Sequence, residues 1–193
     1  GNVIFNTPAT NSVGVLYGNL LQDQIRWGDP ANSEKSGLGF TGATSSTIAI
    51  GDAFEIGQLA HFNNPIYDGT EIDLADLTIT LKFDTGATTS FLYTLGINET
   101  PNNTGGSPGD DDIISFPSSY PEERFYISGE LYTLQLLGFG SDAGSLLSQF
   151  SSPEGLTNDT LLWGRVVQTP VPGAVLLGML GLGVAGVKLR KYA

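Results

Sequence analysis

Residues 73–83 read DLADLTITLKF. Leu77, Ile79, Leu81 and Phe83 alternate with Thr78, Thr80 and Lys82. A period of two sends the apolar set to one face and the polar set to the other, which is the pattern of a half-buried β-strand. Phe54, Ile56 and the Leu59–Phe62 region repeat the behaviour. Outward from these stretches, short runs rich in Val, Ile, Thr, Phe and Tyr are separated by Gly, Asn, Asp, Pro and Ser, the residues that make turns. The runs predict strands at Val3–Asn6, Ser12–Tyr17, Gln22–Trp27, Gly37–Thr41, Ser46–Ile50, Ala53–Phe62 and Asp73–Phe83. Further strands are predicted at Thr88–Ile97, Ile113–Phe116, Arg124–Ile127, Glu130–Gly138 and Leu161–Gln168. One short helix is expected within Ser141–Phe150, where Leu146, Leu147 and Phe150 fall on one face. Many short strands without a long amphipathic helix predict an all-β, two-sheet β-sandwich, jelly-roll-like, over residues 1–168.

The chain closes differently. From Gly173 to Val187 no residue is charged, and Lys188, Arg190 and Lys191 follow. As a helix, the 19 residues from Val171 to Leu189 would rise about 28 Å, near the roughly 30 Å of a bilayer core. Gly173, Gly178 and Gly181 recur among Leu176, Leu177 and Leu180. Glycine is costly in a water-exposed helix and suits close helix–helix approach. Gly181 and Ala185, four apart, share a face. Residues 169–193 are therefore expected to form a hydrophobic α-helix that anchors the chain in a membrane or bundles it with copies of itself through residues 171–190.

Charge narrows the partners. All 20 acidic residues precede Thr169, with only five basic ones, so that body carries −15 and the tail +3. Such a surface repels nucleic acid phosphates. Cysteine is absent, which removes disulfides and thiol chemistry. The opening, Asn2 to Asn6, already alternates like a strand, and we expect that a leader was removed to leave Gly1 first.

Candidate chemistry is sparse. His61 is the single histidine, so any Ser-His-Asp arrangement must use it, and no Gly-x-Ser-x-Gly is present. In HFNNPI (61–66), His61 and Asn63 read as residues that fix the turn before Pro65. The stretch 98–112, NETPNNTGGSPGDDD, gathers oxygen donors. Asp110, Asp111 and Asp112, with Glu99 reaching back from the preceding strand, form the candidate calcium site, because calcium takes six to eight such oxygens. The alternative is an extended, solvated acidic loop. Trp27, Tyr67, Tyr120, Tyr126 and Trp163 are the aromatics from which a carbohydrate platform could be built.

Several blocks carry a family resemblance. They are Trp27-Gly28, SGLGFTG (36–42), FEIGQLAHFNNPI (54–66), ETPN (99–102), DDIISF (111–116) and LWGR (162–165). Together they resemble the choice-of-anchor K family, extracellular β-domains joined to different C-terminal anchors. The tail, with Thr169-Pro170-Val171-Pro172 ahead of the helix, is similar to Val-Pro variants of PEP-CTERM sorting tails, which exosortase-type enzymes process. The resemblance implies a bacterial surface location and no established catalytic activity. The expectation is a non-enzymatic extracellular structural protein, anchored or polymerised into a filament, sheath or matrix through its tail. A surface-anchored carbohydrate-binding module, with a polysaccharide as partner, is the alternative.

Overall fold

A computed structural model describes residues 3–6, 15–18, 22–43, 48–83, 88–101, 109–116 and 123–169, the first two segments as backbone. The expected C-terminal helix, with Gly173, Leu176, Leu177, Gly178, Leu180, Gly181, Ala185, Lys188, Arg190 and Lys191, lies outside the described residues. Among the described residues the secondary structure is all β, and no helix is long and apolar enough to cross a membrane.

The strands are β1 (Val3–Asn6), β2 (Val15–Gly18), β3 (Asp23–Trp27), β4 (Ser36–Gly42), β5 (Phe54–Asn63) and β6 (Leu74–Lys82). They continue as β7 (Thr88–Asn98), β8 (Asp112–Ser115), β9 (Phe125–Ile127), β10 (Glu130–Phe139), β11 (Gln149–Ser152) and β12 (Leu156–Gln168). One sheet runs β6-β7-β8-β11 with β1 added beside β6, and the other β3-β4-β5-β12-β10-β9 with β2 added beside β3. Every described pairing is antiparallel. Consecutive strands largely stay within a sheet, as in the run β2 to β5. That meandering order departs from the jelly-roll-like connectivity expected of the sequence.

The core lies between the sheets and follows the period of two. Ala75, Leu77 and Ile79 of β6 and Phe91, Tyr93, Leu95 and Ile97 of β7 are buried. Opposite them lie Ile25 and Trp27 of β3, Leu38 and Phe40 of β4, Leu59 of β5 and Leu162 and Val166 of β12. The Tyr93 hydroxyl crosses to the other sheet and donates to Leu134 O at 2.8 Å. Burial, then repulsion from Glu123, pushes this phenol well above its ordinary range, so it stays a donor.

Two expectations need correction. Ser141–Phe150 holds no helix: Gly144 N–H donates to Asp142 Oδ1 at 2.8 Å, and Phe139 bridges Leu147. Gln149–Ser152 then runs as β11 against β8. The short side chain of Asp142 captures the local backbone and defeats the helix. In Ser46–Ile50 the described part, Ile48 to Ile50, is not strand; it leads into a turn at Gly51, whose N–H donates to Val166 O at 2.9 Å.

One loop contact positions the functional region. Gly28 ends β3 with φ +78, and a Cβ there would lie 2.6 Å from the Ile66 side chain. Pro30 bridges Ile66, Ala31 N–H donates to Pro65 O, and Tyr67 N–H donates to Asp29 O. The end of β5 is thereby fastened to the end of β3.

Candidate functional site

Strand alternation aims Leu59, His61 and Asn63 of β5 into the space between the sheets. Leu59, His61 and Asn63 are each fully buried. Two of the three are polar, and burying polar groups is costly unless they are hydrogen-bonded. Their side-chain hydrogen-bond partner is Ser152 of β11. His61 Nδ1 lies 2.7 Å from Ser152 Oγ at the end of β11, and Asn63 Nδ2 donates to Ser152 O at 2.7 Å. Ser152 Oγ also accepts from Asn158 Nδ2 of β12 at 2.8 Å. Trp27 of β3 stacks on the imidazole with ring centroids 6.1 Å apart.

From the other sheet come the carboxylates. Glu99, just past β7, accepts from Trp27 Nε1 and from Ser36 Oγ at 3.1 Å. Asp112, the first residue of β8, accepts from the Thr100 backbone N–H at 2.8 Å. Its other oxygen, Oδ2, faces His61 Nε2 at 4.0 Å. One ligand-type atom from each of His61, Glu99 and Asp112 lies within 4.8 Å of the others.

Burial dominates the electrostatics. It lowers the His61 pKa to about 3, with Arg26 contributing in the same direction, so the imidazole is neutral and makes no ion pair with Asp112. Glu99 is pushed up to about 8, first by burial and then by Asp112, against the bonds from Trp27 and Ser36. Burial also raises Asp112. Glu154, in the turn between β11 and β12, is raised to about 7 by burial and by Asp112 and Asp110.

Asp110, Asp111 and Asp112 are not solvated as like charges alone would make them. Asp110, Asp111 and Asp112 are 9%, 6% and 0% exposed. Ser151 Oγ donates to Asp111 Oδ2 at 2.8 Å, and β8 carries Asp112 inside. Glu99 does meet Asp112, as its place at the strand end suggested. Asn102 and Asn103 lie outside the described residues. His61 and Asn63 correct the expectation of a local turn-fixing role, because both reach Ser152, about ninety positions away in the chain. Ser152 and Glu154 are not singled out by the sequence, because neither lies in a motif that marks it.

Five buried polar atoms in the described region have no hydrogen-bond partner: His61 Nε2, Asn63 Oδ1, Asp111 Oδ1, Asp112 Oδ2 and Glu154 Oε1. All belong to this one end of the sandwich. Four are oxygens that accept and cannot donate when ionised, or in the amide's case at all.

Not all of the described aromatics are available at the surface. Trp27 is 1% exposed, which removes it from any surface role. Trp163 is half-buried and donates to Gly140 O at 2.9 Å. Tyr67 and Tyr126 are exposed, and Tyr120 lies outside the described residues. No family model and no curated protein matches the chain.

Proposed function

We propose that this protein is a non-enzymatic structural or surface-display domain, a β-sandwich held outside the cell and attached or polymerised through residues 169–193. One observation supports it best. Ser152, His61 and Asp112 stand together in the order that nucleophilic catalysis would use, yet all three are 0% exposed. Ser152 Oγ already accepts from Asn158, and the 4.0 Å gap to Asp112 is no hydrogen bond. Their burial and this geometry are poor for a nucleophile that must meet a substrate, which supports the non-enzymatic reading. The polar cluster instead ties the two sheets together.

The resemblance to choice-of-anchor K domains and PEP-CTERM tails supports the extracellular placement, the hydrophobic C-terminal helix and processing by an exosortase-type enzyme. In this reading the tail removes apolar area from water, at roughly 25 cal/mol per Å² buried, by entering lipid or packing on other copies. Truncation before Pro170 is expected to give a dispersed, non-assembling domain by light scattering and electron microscopy. Unchanged assembly or membrane association of the truncated chain would sink the tail's role.

Polysaccharide binding is the second reading, favoured by the exposure of Tyr67 at 61% and Tyr126 at 73%. Polysaccharide pull-down that is lost on substitution of either tyrosine by Ala would favour it over a purely structural role.

A further inference from the structure

We propose that His61, Glu99 and Asp112 hold one divalent transition-metal ion of the zinc class, which staples the two sheets together. Among the described residues, only these three bring metal-ligand atoms within 4.8 Å of one another. His61 lies on β5 of one sheet, and Asp112 on β8 of the other. Glu99 follows β7, a neighbour of β8. His61 Nε2 and Asp112 Oδ2 are both buried without a hydrogen-bond partner, and each residue is 0% exposed. The two atoms face each other across 4.0 Å. That gap is too long for a hydrogen bond. It is about twice a zinc bond of roughly 2.0–2.1 Å, and a tetrahedral angle at the metal would draw the pair in by about 0.6 Å.

The remaining atoms of these side chains are held in place, as the ligands of a metal usually are. His61 Nδ1 lies 2.7 Å from Ser152 Oγ, and an N–H donated there leaves Nε2 with a bare lone pair. Ser152 Oγ has two acceptor sites, so the bond from Asn158 does not compete. The Thr100 N–H fixes Asp112 through Oδ1, with Oδ2 turned to His61. Trp27 and Ser36 both donate to Glu99 Oε1. Glu99 is only half-buried, which gives an ion its entry from that side.

The donor set selects the metal. One imidazole nitrogen and two carboxylates suit zinc and its first-row neighbours, with water left for a fourth position. Calcium takes six to eight oxygens, and a nitrogen serves it poorly. Of the aspartates from which the sequence suggested a calcium site, only Asp112 belongs to this group; Asp111 is held by Ser151. The rival occupant is a proton. Two carboxyls side by side repel unless one is protonated, and a shared proton relieves that without any metal.

The test uses the intact chain, stripped with chelator, kept in detergent micelles and isotopically labelled at its histidine. His61 is the single histidine, so its ring nitrogens report on the site by NMR without a mutation. Zinc, and separately calcium, is titrated by calorimetry while thermal unfolding is followed in parallel. One zinc per chain is expected, with a displaced Nε2 resonance and a rise in Tm of about 5–10 °C when zinc exceeds Kd a hundredfold. His61→Gln and Asp112→Asn should each weaken zinc at least about tenfold, and Asp111→Asn should retain it. Where a buried variant fails to fold, the wild-type resonances decide. The proposal is overturned if zinc gives neither heat nor a Tm shift, the result a shared proton predicts. It is equally overturned if zinc binds while the ring nitrogens of His61 stay unmoved, or if calcium alone binds. The outcome does not depend on whether the tail anchors the chain.

Discussion

Glu99 sets the acid–base behaviour of the interior. Its folded pKa of about 8 stands against 4.5 for the ordinary carboxyl. Between those values the native state holds a proton that the unfolded chain has released, so stability falls as pH rises, by about 1.4 kcal/mol per pH unit for one such group. His61 acts oppositely. Its value falls from 6.5 to about 3, so stability rises with pH across that window. Above pH 6.5 the histidine no longer contributes and Glu99 dominates, joined up to about pH 7 by Glu154. In chelator, the urea midpoint is therefore expected to drop from pH 6.5 to 8, and Glu99→Gln to flatten the drop. A flat wild-type profile would refute this assignment. Trp27→Phe keeps the ring over His61 and removes a hydrogen bond to Glu99. A loss of about 1–3 kcal/mol is expected at pH 7, measured by urea unfolding.

At the scale of elements, the fastening between the ends of β3 and β5 is the most sensitive joint. Gly28 adopts a left-handed φ, and Ile66 occupies the space where a Cβ would go. Gly28→Ala is expected to destabilise by about 2–4 kcal/mol, combining backbone strain with overpacking. Gly69, also at positive φ but with open space around it, serves as the comparison. Gly69→Ala should cost about 1 kcal/mol, from strain alone. Equal losses in the two variants, by chemical denaturation, would show that the Ile66 contact contributes nothing. The same joint presents His61 and Asn63 to β8 and β11, so the larger loss should fall on a variant whose site is also displaced.

For the molecule as a whole, the body's −15 charge works against its own folded state. Raising sodium chloride from about 10 mM to 150 mM shortens the screening length to roughly 8 Å. In chelator this is expected to raise Tm; an unchanged or lower Tm would argue that paired charges, not net repulsion, govern the surface.

The sequence by itself determined the sandwich, because burial of one face per strand enforces a period of two that is written in residues such as Leu77, Ile79 and Phe91. It determined the acidic surface and the apolar tail for the same reason: composition alone decides which segments water tolerates. It also placed Asp112 and Glu99 at neighbouring strand ends. Only the tertiary structure decided that β11 exists, since Gln149-Phe150-Ser151-Ser152 has little strand preference and is held by β8. It alone joined Asn63, Ser152 and Glu154 to the aspartates. Those contacts span roughly forty to ninety positions of chain, and no local pattern encodes which strand ends the sheets will bring together.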